Sequence, residues 1–311
     1  MSANVETMFY TRVAPWHGLG VCVENAVSSE EALKVSGLDW NVVQQSVMTE
    51  ESIPVPRYKV NIRDTDNKIL GVVSDRYKVV QNAEAFAFTD ALLGEGVTYE
   101  TAGSLQDGKK IWLLARLPEK YTIGGEQIEP YLVFSNSHDG SGAIKVAMTP
   151  VRVVCQNTLN LALSSAKRIW STAHIGEISE KMYEARNTLL LAEKYMGDLG
   201  NEFARLSGIK LTDSKVMEYI EMLLPMDEHP SAARRKNIER IREDLKIRYF
   251  EAPDLEHVGK NAYRFMCAVS DFATHAKPLR ETSNYRESMM SKTIEGNPLI
   301  DKAYDIVLNA A

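Results

Sequence analysis

The chain has 311 residues, and its 44% hydrophobic and 25% charged contents are those of an ordinary globular protein. A formal net charge of −6 excludes a uniformly basic nucleic-acid-binding protein, although a local basic stripe stays compatible with it. The three cysteines, Cys22, Cys155 and Cys267, are odd in number and far apart. They predict reduced thiols in a cytoplasmic protein, with no disulfide framework and no structural metal site. The sequence also shows no signal peptide pattern and no apolar run of about 18 residues, so no membrane partner is expected.

The first half of the chain has the alternation and the turn residues of β-strands. Strands are predicted at 41–48, 58–63, 69–74, 98–105, 110–117, 130–135 and 143–148. Two helices interrupt them. One begins at the capping sequence Ser28-Ser29-Glu30-Glu31 and stops at Gly37, and the other covers 83–93.

The second half has helical periodicity. Helices are predicted at 157–171, 177–206, 213–224, 231–246, 258–275 and 297–308, with prolines between several of them. The chain is therefore expected to be an α+β protein. A mainly antiparallel sheet domain with inserted helices takes residues 1–170, and a helical C-terminal region takes residues 171–311.

Two joints between a strand and a helix have similar sequences, RYKVVQN at 76–82 and VRVVCQN at 151–157. Each ends in Gln-Asn before a helix, and asparagine is a favourable N-cap because its side-chain oxygen accepts a backbone N–H. The pair is interpreted either as two independent helix starts or as a duplicated strand–helix unit. The match is too short to establish a repeat.

A dense polar turn separates the last two predicted strands, with the sequence SNSHDGSG at 135–142. Ser137, His138 and Asp139 are the strongest site candidates, because a His-Asp pair suits acid–base chemistry and loops commonly carry function. The alternative is a structural hairpin turn, in which the Asp-Gly step supplies the turn and the polar side chains bond its backbone.

Arg152, Cys155, Gln156 and Asn157 follow at the next joint. Arg152 either pairs with a carboxylate such as Asp139 or contacts a phosphate. Cys155 is expected to be a buried core thiol, with a nucleophilic role as the alternative. Ser137, His138, Asp139, Arg152 and Asn157 are predicted to share one cleft at the sheet edge.

A basic stretch begins the helix predicted at 231–246. Seven basic and three acidic residues lie between Ser231 and Arg248. Arg234, Arg235, Arg242 and Arg248 are candidate phosphate contacts, and Lys109 and Lys110 form a weaker basic group near the sheet. The alternative is a solvated helix face with internal ion pairs.

Several blocks of the sequence carry a family resemblance. These are WHGLG at 16–20, RYKVVQNAEAF at 76–86, the stretch from Ser135 to Leu163, and GKNA, YRES and GNPL toward the end. The chain is similar to the phage- and plasmid-like proteins of domain of unknown function 932. The resemblance implies a bacterial host cell and genes near DNA metabolism or anti-restriction, and it implies no catalytic residues.

Three functions are therefore open. The first is a protein of DNA metabolism that binds single-stranded nucleic acid. In the most specific version of this function, the protein anneals strands as a Rad52-like homo-oligomer. The second is a non-enzymatic counter-defence or regulatory protein that binds a host protein. The third, less favoured, is an enzyme centred on His138, Asp139, Arg152 and Cys155; no cofactor is implied.

Overall fold

The computed structural model describes residues 5–11, 21–23, 28–93, 98–117, 121–123, 126–152, 169–189, 192–276, 292 and 296–310. The strands are β1 Val5–Thr11, β2 Val21–Val23, β3 Val42–Met48, β4 Pro54–Arg63, β5 Ile69–Ser74, β6 Thr98–Leu105, β7 Lys110–Arg116, β8 Tyr121–Ile123, β9 Glu126–Ser137, β10 Ile144–Arg152 and β11 Ile169–Thr172. The helices are α1 Ser29–Val35, α2 Asn82–Leu93, α3 Ile178–Leu189, α4 Ala192–Gly208, α5 Asp213–Leu223, α6 Ala232–Phe250, α7 Ala262–His275 and α8 Pro298–Ala310, with a 3₁₀ turn at Pro253–Leu255.

Two sheets form the strand-rich part. The larger one has the order β11-β10-β9-β7-β6-β1-β2, with β8 paired to β9, and the smaller one has the order β3-β4-β5. The β1–β2 pair is parallel, and the other described pairs are antiparallel. Together with the helical C-terminal region, this arrangement confirms the predicted α+β class.

The hydrophobic residues separate into two main cores. Helices α1, α2 and α3 pack on the larger sheet around Phe9, Leu113, Phe134 and Val146. Helices α4 to α8 enclose a second core, whose largest fully buried side chains include Tyr195, Phe203, Tyr219, Tyr249 and Phe265. Ile128 and Met148 belong to this second core, so the helices pack on the end of the β9–β10 hairpin that is far from its turn.

The start of α1 confirms the predicted capping sequence. The Ser28 side chain accepts a hydrogen bond from the Glu31 backbone, while the Glu31 carboxylate accepts one from the Ser28 backbone. Gly37 follows the helix with φ +67°, a conformation that favours glycine. Local sequence therefore determines both ends of this helix.

Other elements depart from the sequence predictions. Strands β1, β2, β8 and β11 were not predicted. Of the helix expected at 157–171, residues 157–168 lie outside the described residues, and its end is wrong because Ile169–Thr172 is a strand that pairs with β10. The single helix expected at 177–206 is described as α3 and α4, with 190 and 191 outside the described residues. Helix α7 begins at Ala262 rather than 258, because Asn261 caps it by accepting the Arg264 N–H at 2.9 Å.

None of the described helices combines the length and the apolar character needed to cross a membrane.

Candidate functional site

The polar turn between β9 and β10 is held by its own side chains. The Ser137 hydroxyl donates to the Gly142 carbonyl at 3.0 Å and accepts from the Gly142 N–H at 2.9 Å. Asp139 Oδ1 accepts the Ser141 N–H at 2.9 Å. Gly140, with φ +76°, supplies the conformation that reverses the chain. The Ser137 and Asp139 side chains thus bond the turn's own backbone, as the structural alternative predicted.

His138 is completely buried between the two sheets. Its backbone N–H donates to the Lys109 carbonyl at 2.7 Å, and its carbonyl accepts from Asn61 of β4 at 2.6 Å. Its ring meets the Trp40 ring edge-on, with 5.3 Å between centroids. The turn is therefore seated on the smaller sheet. The approach is so close that a Cβ at Gly71 would lie 2.6 Å from the Asp139 Cα.

Gln81 and Asn82 connect this turn to the smaller sheet through their side chains. Gln81 accepts from the Val42 N–H at 2.8 Å and donates to the Val42 carbonyl at 3.0 Å, as a neighbouring strand would. The Asn82 amide donates to the Leu38 and Trp40 carbonyls at 3.0 and 3.3 Å. The expectation that Asn82 caps its helix is wrong, because its side chain makes tertiary hydrogen bonds instead.

A row of buried polar side chains lies along the segment 78–82. His174 Nδ1 is 2.9 Å from the Lys78 carbonyl, the Asn136 amide donates to the Val80 carbonyl at 3.1 Å, and His138 Nε2 is 3.0 Å from Asn82 Oδ1. Lys78, Val80 and Asn82, which make these contacts, are alternate residues of the segment. At about 3.3 Å per residue, Lys78 and Asn82 are therefore roughly 13 Å apart. Tyr77 stacks on His174, with 4.4 Å between ring centroids, and its hydroxyl donates to the Ser137 carbonyl.

The partners of these side chains fix which atoms carry protons. A backbone carbonyl only accepts, so His174 Nδ1 must be protonated; the Asn82 amide already donates twice, so His138 Nε2 must be the donor to Asn82 Oδ1. Three buried acceptors then have no donor among the described residues. They are Asn136 Oδ1, His138 Nδ1 and His174 Nε2. Water is the smallest species that supplies such donors, because an unpaired buried acceptor costs about 1–3 kcal/mol.

Burial keeps both histidines neutral. It lowers the pKa of His138 to about 3, with a further contribution from the neighbouring His174, while Asp139 acts in the opposite direction. Burial also lowers the pKa of His174, although its hydrogen bond to Lys78 opposes the shift. General acid–base catalysis near neutral pH requires a pKa close to the working pH, which the His138 environment does not provide.

The predicted cleft residues are not all brought together. Arg152 pairs with Ile128 at the far end of the β9–β10 hairpin, whereas His138 is at the turn. Ile144 and Arg152 are eight residues apart along β10, which is roughly 26 Å at about 3.3 Å per residue. The prediction that Arg152 shares a cleft with His138 is therefore wrong. Cys155, Gln156 and Asn157 lie outside the described residues.

A second, partly buried polar cluster crosses the larger sheet, and the sequence did not indicate it. Arg116 lies 3.3 Å from a Glu100 oxygen and 3.5 Å from a Glu129 oxygen, and the Tyr131 hydroxyl donates to Glu129 at 3.0 Å. The cation between the carboxylates makes this an ion-pair network rather than an acid–base pair. Within the described residues, no group of three or more His, Cys, Asp or Glu side chains is arranged to hold a metal ion.

The arginines of α6 divide into two groups. Arg242 donates to the carbonyl of Leu224, at the C-terminus of α5, at 2.8 and 3.1 Å. Arg248 pairs with Asp244 at 2.8 Å and with Asp271 on α7. Both side chains therefore contribute to helix packing, and their role as phosphate contacts stays a prediction.

The first turns of α6 remain exposed. Arg234 pairs with Asp227 at 2.5 Å, and Arg235, Lys236 and Arg240 have no ion pair with any described residue. Lys109 and Lys110 lie elsewhere, at the turn between β6 and β7, where the Lys109 carbonyl accepts from His138. The two basic groups therefore belong to different elements of the fold.

Comparison with known proteins adds family membership. The family described as Domain of unknown function (DUF932) matches residues 69–293, and the chain belongs to this family. The matched range includes the β9–β10 turn, the 78–82 segment, His174 and α6. No curated protein and no solved structure matches the chain.

Proposed function

We propose that the chain is a phage- or plasmid-derived, non-enzymatic protein of DNA metabolism that binds single-stranded nucleic acid in the cytoplasm of a bacterial host. The observation that carries this proposal is the run of cations in the first turns of α6. Arg234, Arg235 and Lys236 follow the N-cap Ser231 after two alanines, and the first turn of the helix contains no acidic residue.

This arrangement is unfavourable for the isolated fold. The N-terminus of a helix carries a partial positive charge, so Arg234 in the first turn costs about 0.3–1 kcal/mol at low ionic strength, and Arg235 and Lys236 add further positive charge beside it. Of these three cations, Arg234 is offset by its ion pair with Asp227, and the other two have no such partner among the described residues. An external anion would offset the remainder, and the phosphates of a nucleic acid are anions that such a surface attracts without reading base sequence.

The small number of exposed cations on α6 also limits how many phosphates one copy of the chain can contact. Arg235, Lys236 and Arg240 provide three exposed cations on an otherwise acidic protein. Three phosphate contacts give weak, salt-dependent binding, so several copies on one strand are needed for a stable complex. The proposal therefore includes the assembly of several copies on one single strand. In its most specific version, such an assembly anneals two complementary strands.

The test is a salt titration of binding to a fluorescent single-stranded oligonucleotide. The variant Arg235→Gln, Lys236→Gln, Arg240→Gln is compared with wild type. Because each lost phosphate contact reduces the slope of log K against log salt by about 0.7 for single strands, the triple variant is expected to lose about 2 from the slope. It is expected to lose affinity equally for all sequences.

A matched control removes the same charge elsewhere. Lys34, Lys194 and Lys210 are exposed and lie on other parts of the chain. The variant Lys34→Gln, Lys194→Gln, Lys210→Gln should retain the wild-type slope. Equal losses in both variants would indicate a net-charge effect only, and absence of wild-type binding at low salt would refute the proposal.

A protein partner is the second candidate function, in the form of a counter-defence or regulatory protein that binds a host protein. One observation favours it. The solvent face of the smaller sheet exposes Val43, Ile69 and Val72 at 44, 63 and 58%. Contiguous exposed apolar residues commonly mark a protein interface.

A further inference from the structure

The smaller sheet carries apolar residues on both of its faces, which departs from the usual pattern. An antiparallel sheet with one solvated face normally turns polar residues outward. Here the inner face combines the buried apolar residues Val42, Leu70 and Val73 with the buried polar residues Asn61 and Arg63. Val43, Ile69 and Val72 face outward as well, and none of the described residues buries them.

Strand register shows that the outward residues form one surface. Val43, Ile62 and Ile69 are neighbours across the three strands, and Val60 and Val72 form the next row. A register shift between Asn61 and Ile62 lets Leu70 turn inward while Ile69 and Val72 both remain outward. Tyr58, which is 53% exposed, extends the surface by one more row.

The surface is too small for a stable dimer of the chain. Three strands about 4.8 Å apart are roughly 14 Å wide, and the six residues of β5 span about 20 Å, which gives roughly 280 Å² in projection. A stable dimer of two folded chains buries about 800 Å² on each partner, whereas a contact of this smaller size suits a weak, transient partner. An α-helix has a diameter of about 10–12 Å and gains about 5.4 Å per turn, so one helix of about four turns matches this surface.

The charges around the surface favour a protein over a nucleic acid. Both hairpin turns that flank it carry carboxylates, Glu50 and Glu51 at one end and Asp64 and Asp66 at the other, although Asp66 is already paired with Arg63 at 2.7 Å. The neighbouring cations Lys59 and Arg63 are directed to the inner side, where they contact Gln44 and Glu6. Phosphates would meet no outward cation within the apolar rows.

We propose that the outer face of β3-β4-β5 is a docking surface for one amphipathic helix of another protein, with apolar residues at i, i+3, i+4 and i+7 and basic residues toward its ends. The proposal deepens the protein-binding candidate function and is independent of the nucleic-acid surface on α6. The helix packs its apolar stripe across Ile62, Ile69 and Val72, and its basic residues approach the acidic turns.

The test uses the full chain in host cells, with the photo-crosslinking residue p-benzoylphenylalanine at Val72. The control has the same residue at Lys194, an exposed position on α4. The expected result is an adduct with another protein, formed at Val72 and absent at Lys194, whose crosslinked peptide has helical apolar spacing and flanking basic residues. A second change, Ile69→Lys, should lower the adduct yield about tenfold or more, because it places an unpaired charge in the apolar contact.

The other outcomes overturn the proposal in distinguishable ways. An adduct with a second copy of the chain shows self-association, and an adduct with an extended segment shows strand addition. A partner whose adduct survives Ile69→Lys shows that protein binding holds but that this face is not the docking surface. If no adduct forms, or if the same adducts form at Val72 and at Lys194, the outer face of β3-β4-β5 is not an interface. Ile69 is exposed, so circular dichroism of Ile69→Lys should confirm an intact fold.

Discussion

His138 Nε2 lies 3.0 Å from Asn82 Oδ1, and this contact joins the β9–β10 turn to the first residue of α2. The Asn82 amide also donates to Leu38 and Trp40, so a single side chain connects the larger sheet, α2 and the approach to β3. The polar residues of the turn therefore serve first to hold the two sheets together.

Replacing Asn82 should destabilise the protein strongly. Asn82→Ala removes hydrogen bonds to three buried groups and leaves two carbonyls and an imidazole N–H without a partner, at a cost of about 2–4 kcal/mol. Urea unfolding measures the loss. Asn201→Ala, at an exposed position on α4, should change the free energy of unfolding by less than about 0.5 kcal/mol. A similar small effect at Asn82 would contradict the connecting role.

The buried histidines should make stability depend on pH. Burial lowers the pKa of His138 to about 3 in the folded state, against about 6.5 when unfolded. The unfolded chain therefore binds more protons below pH 6.5. The stabilising contribution is fully present above that pH and is lost progressively as the pH falls toward 3.

Unfolding at pH 7, 6 and 5 tests this dependence. His138→Gln should reduce the slope of the free energy of unfolding against pH by up to about 1.4 kcal/mol per unit below pH 6. His174 continues to contribute in the same direction. The exposed His229 provides the control, since His229→Gln should leave the slope unchanged. An unchanged slope in His138→Gln would argue against a neutral buried ring.

Gly71 should not tolerate a side chain, because the turn approaches it so closely. A Cβ there would lie 2.6 Å from the Asp139 Cα and 3.0 Å from its carbonyl oxygen, both of them backbone atoms that are costly to move. Gly71→Ala should destabilise the protein by about 1–3 kcal/mol. At Gly197 on α4, an added Cβ would meet no atom within 4 Å, so Gly197→Ala should stabilise by about 0.4–1 kcal/mol. Thermal unfolding distinguishes the opposite signs.

Sequence reasoning succeeded where local chemistry determines structure. The bounds of β5 and β6 match the predicted ranges, because turn residues delimit both strands, and Ser28 and Glu31 specify the start of α1. β1 pairs with β6, about ninety residues later in the chain, so no local pattern indicated that pairing.

The contacts of the candidate site likewise could not be predicted from local sequence patterns. Asn82 has the residue type and position of a helix cap, and only the tertiary fold directs its side chain toward His138. His174 lies 36 residues beyond His138 and was not singled out. One usable signal was present: Asn61 and Arg63 are polar at alternate positions of a strand whose other face is apolar, which indicates a polar contact on the inner side.

Substitutions of Arg248 and Arg235 on α6 should differ in their effects on the free energy of unfolding and on nucleic-acid binding. Arg248 is 19% exposed, pairs with Asp244 and Asp271, and lies over the Phe272 ring at 5.8 Å. Arg248→Gln leaves two carboxylates at a helix–helix contact without their cation, so it should cost about 1–3 kcal/mol in the free energy of unfolding. Arg235→Gln removes an exposed charge with no described ion pair and should change stability by less than about 0.5 kcal/mol. Urea unfolding of both variants, beside oligonucleotide binding of each, provides the measurement. If Arg235→Gln unfolds as readily as Arg248→Gln, the first turns of α6 are part of the fold and their cations are not kept for an external anion.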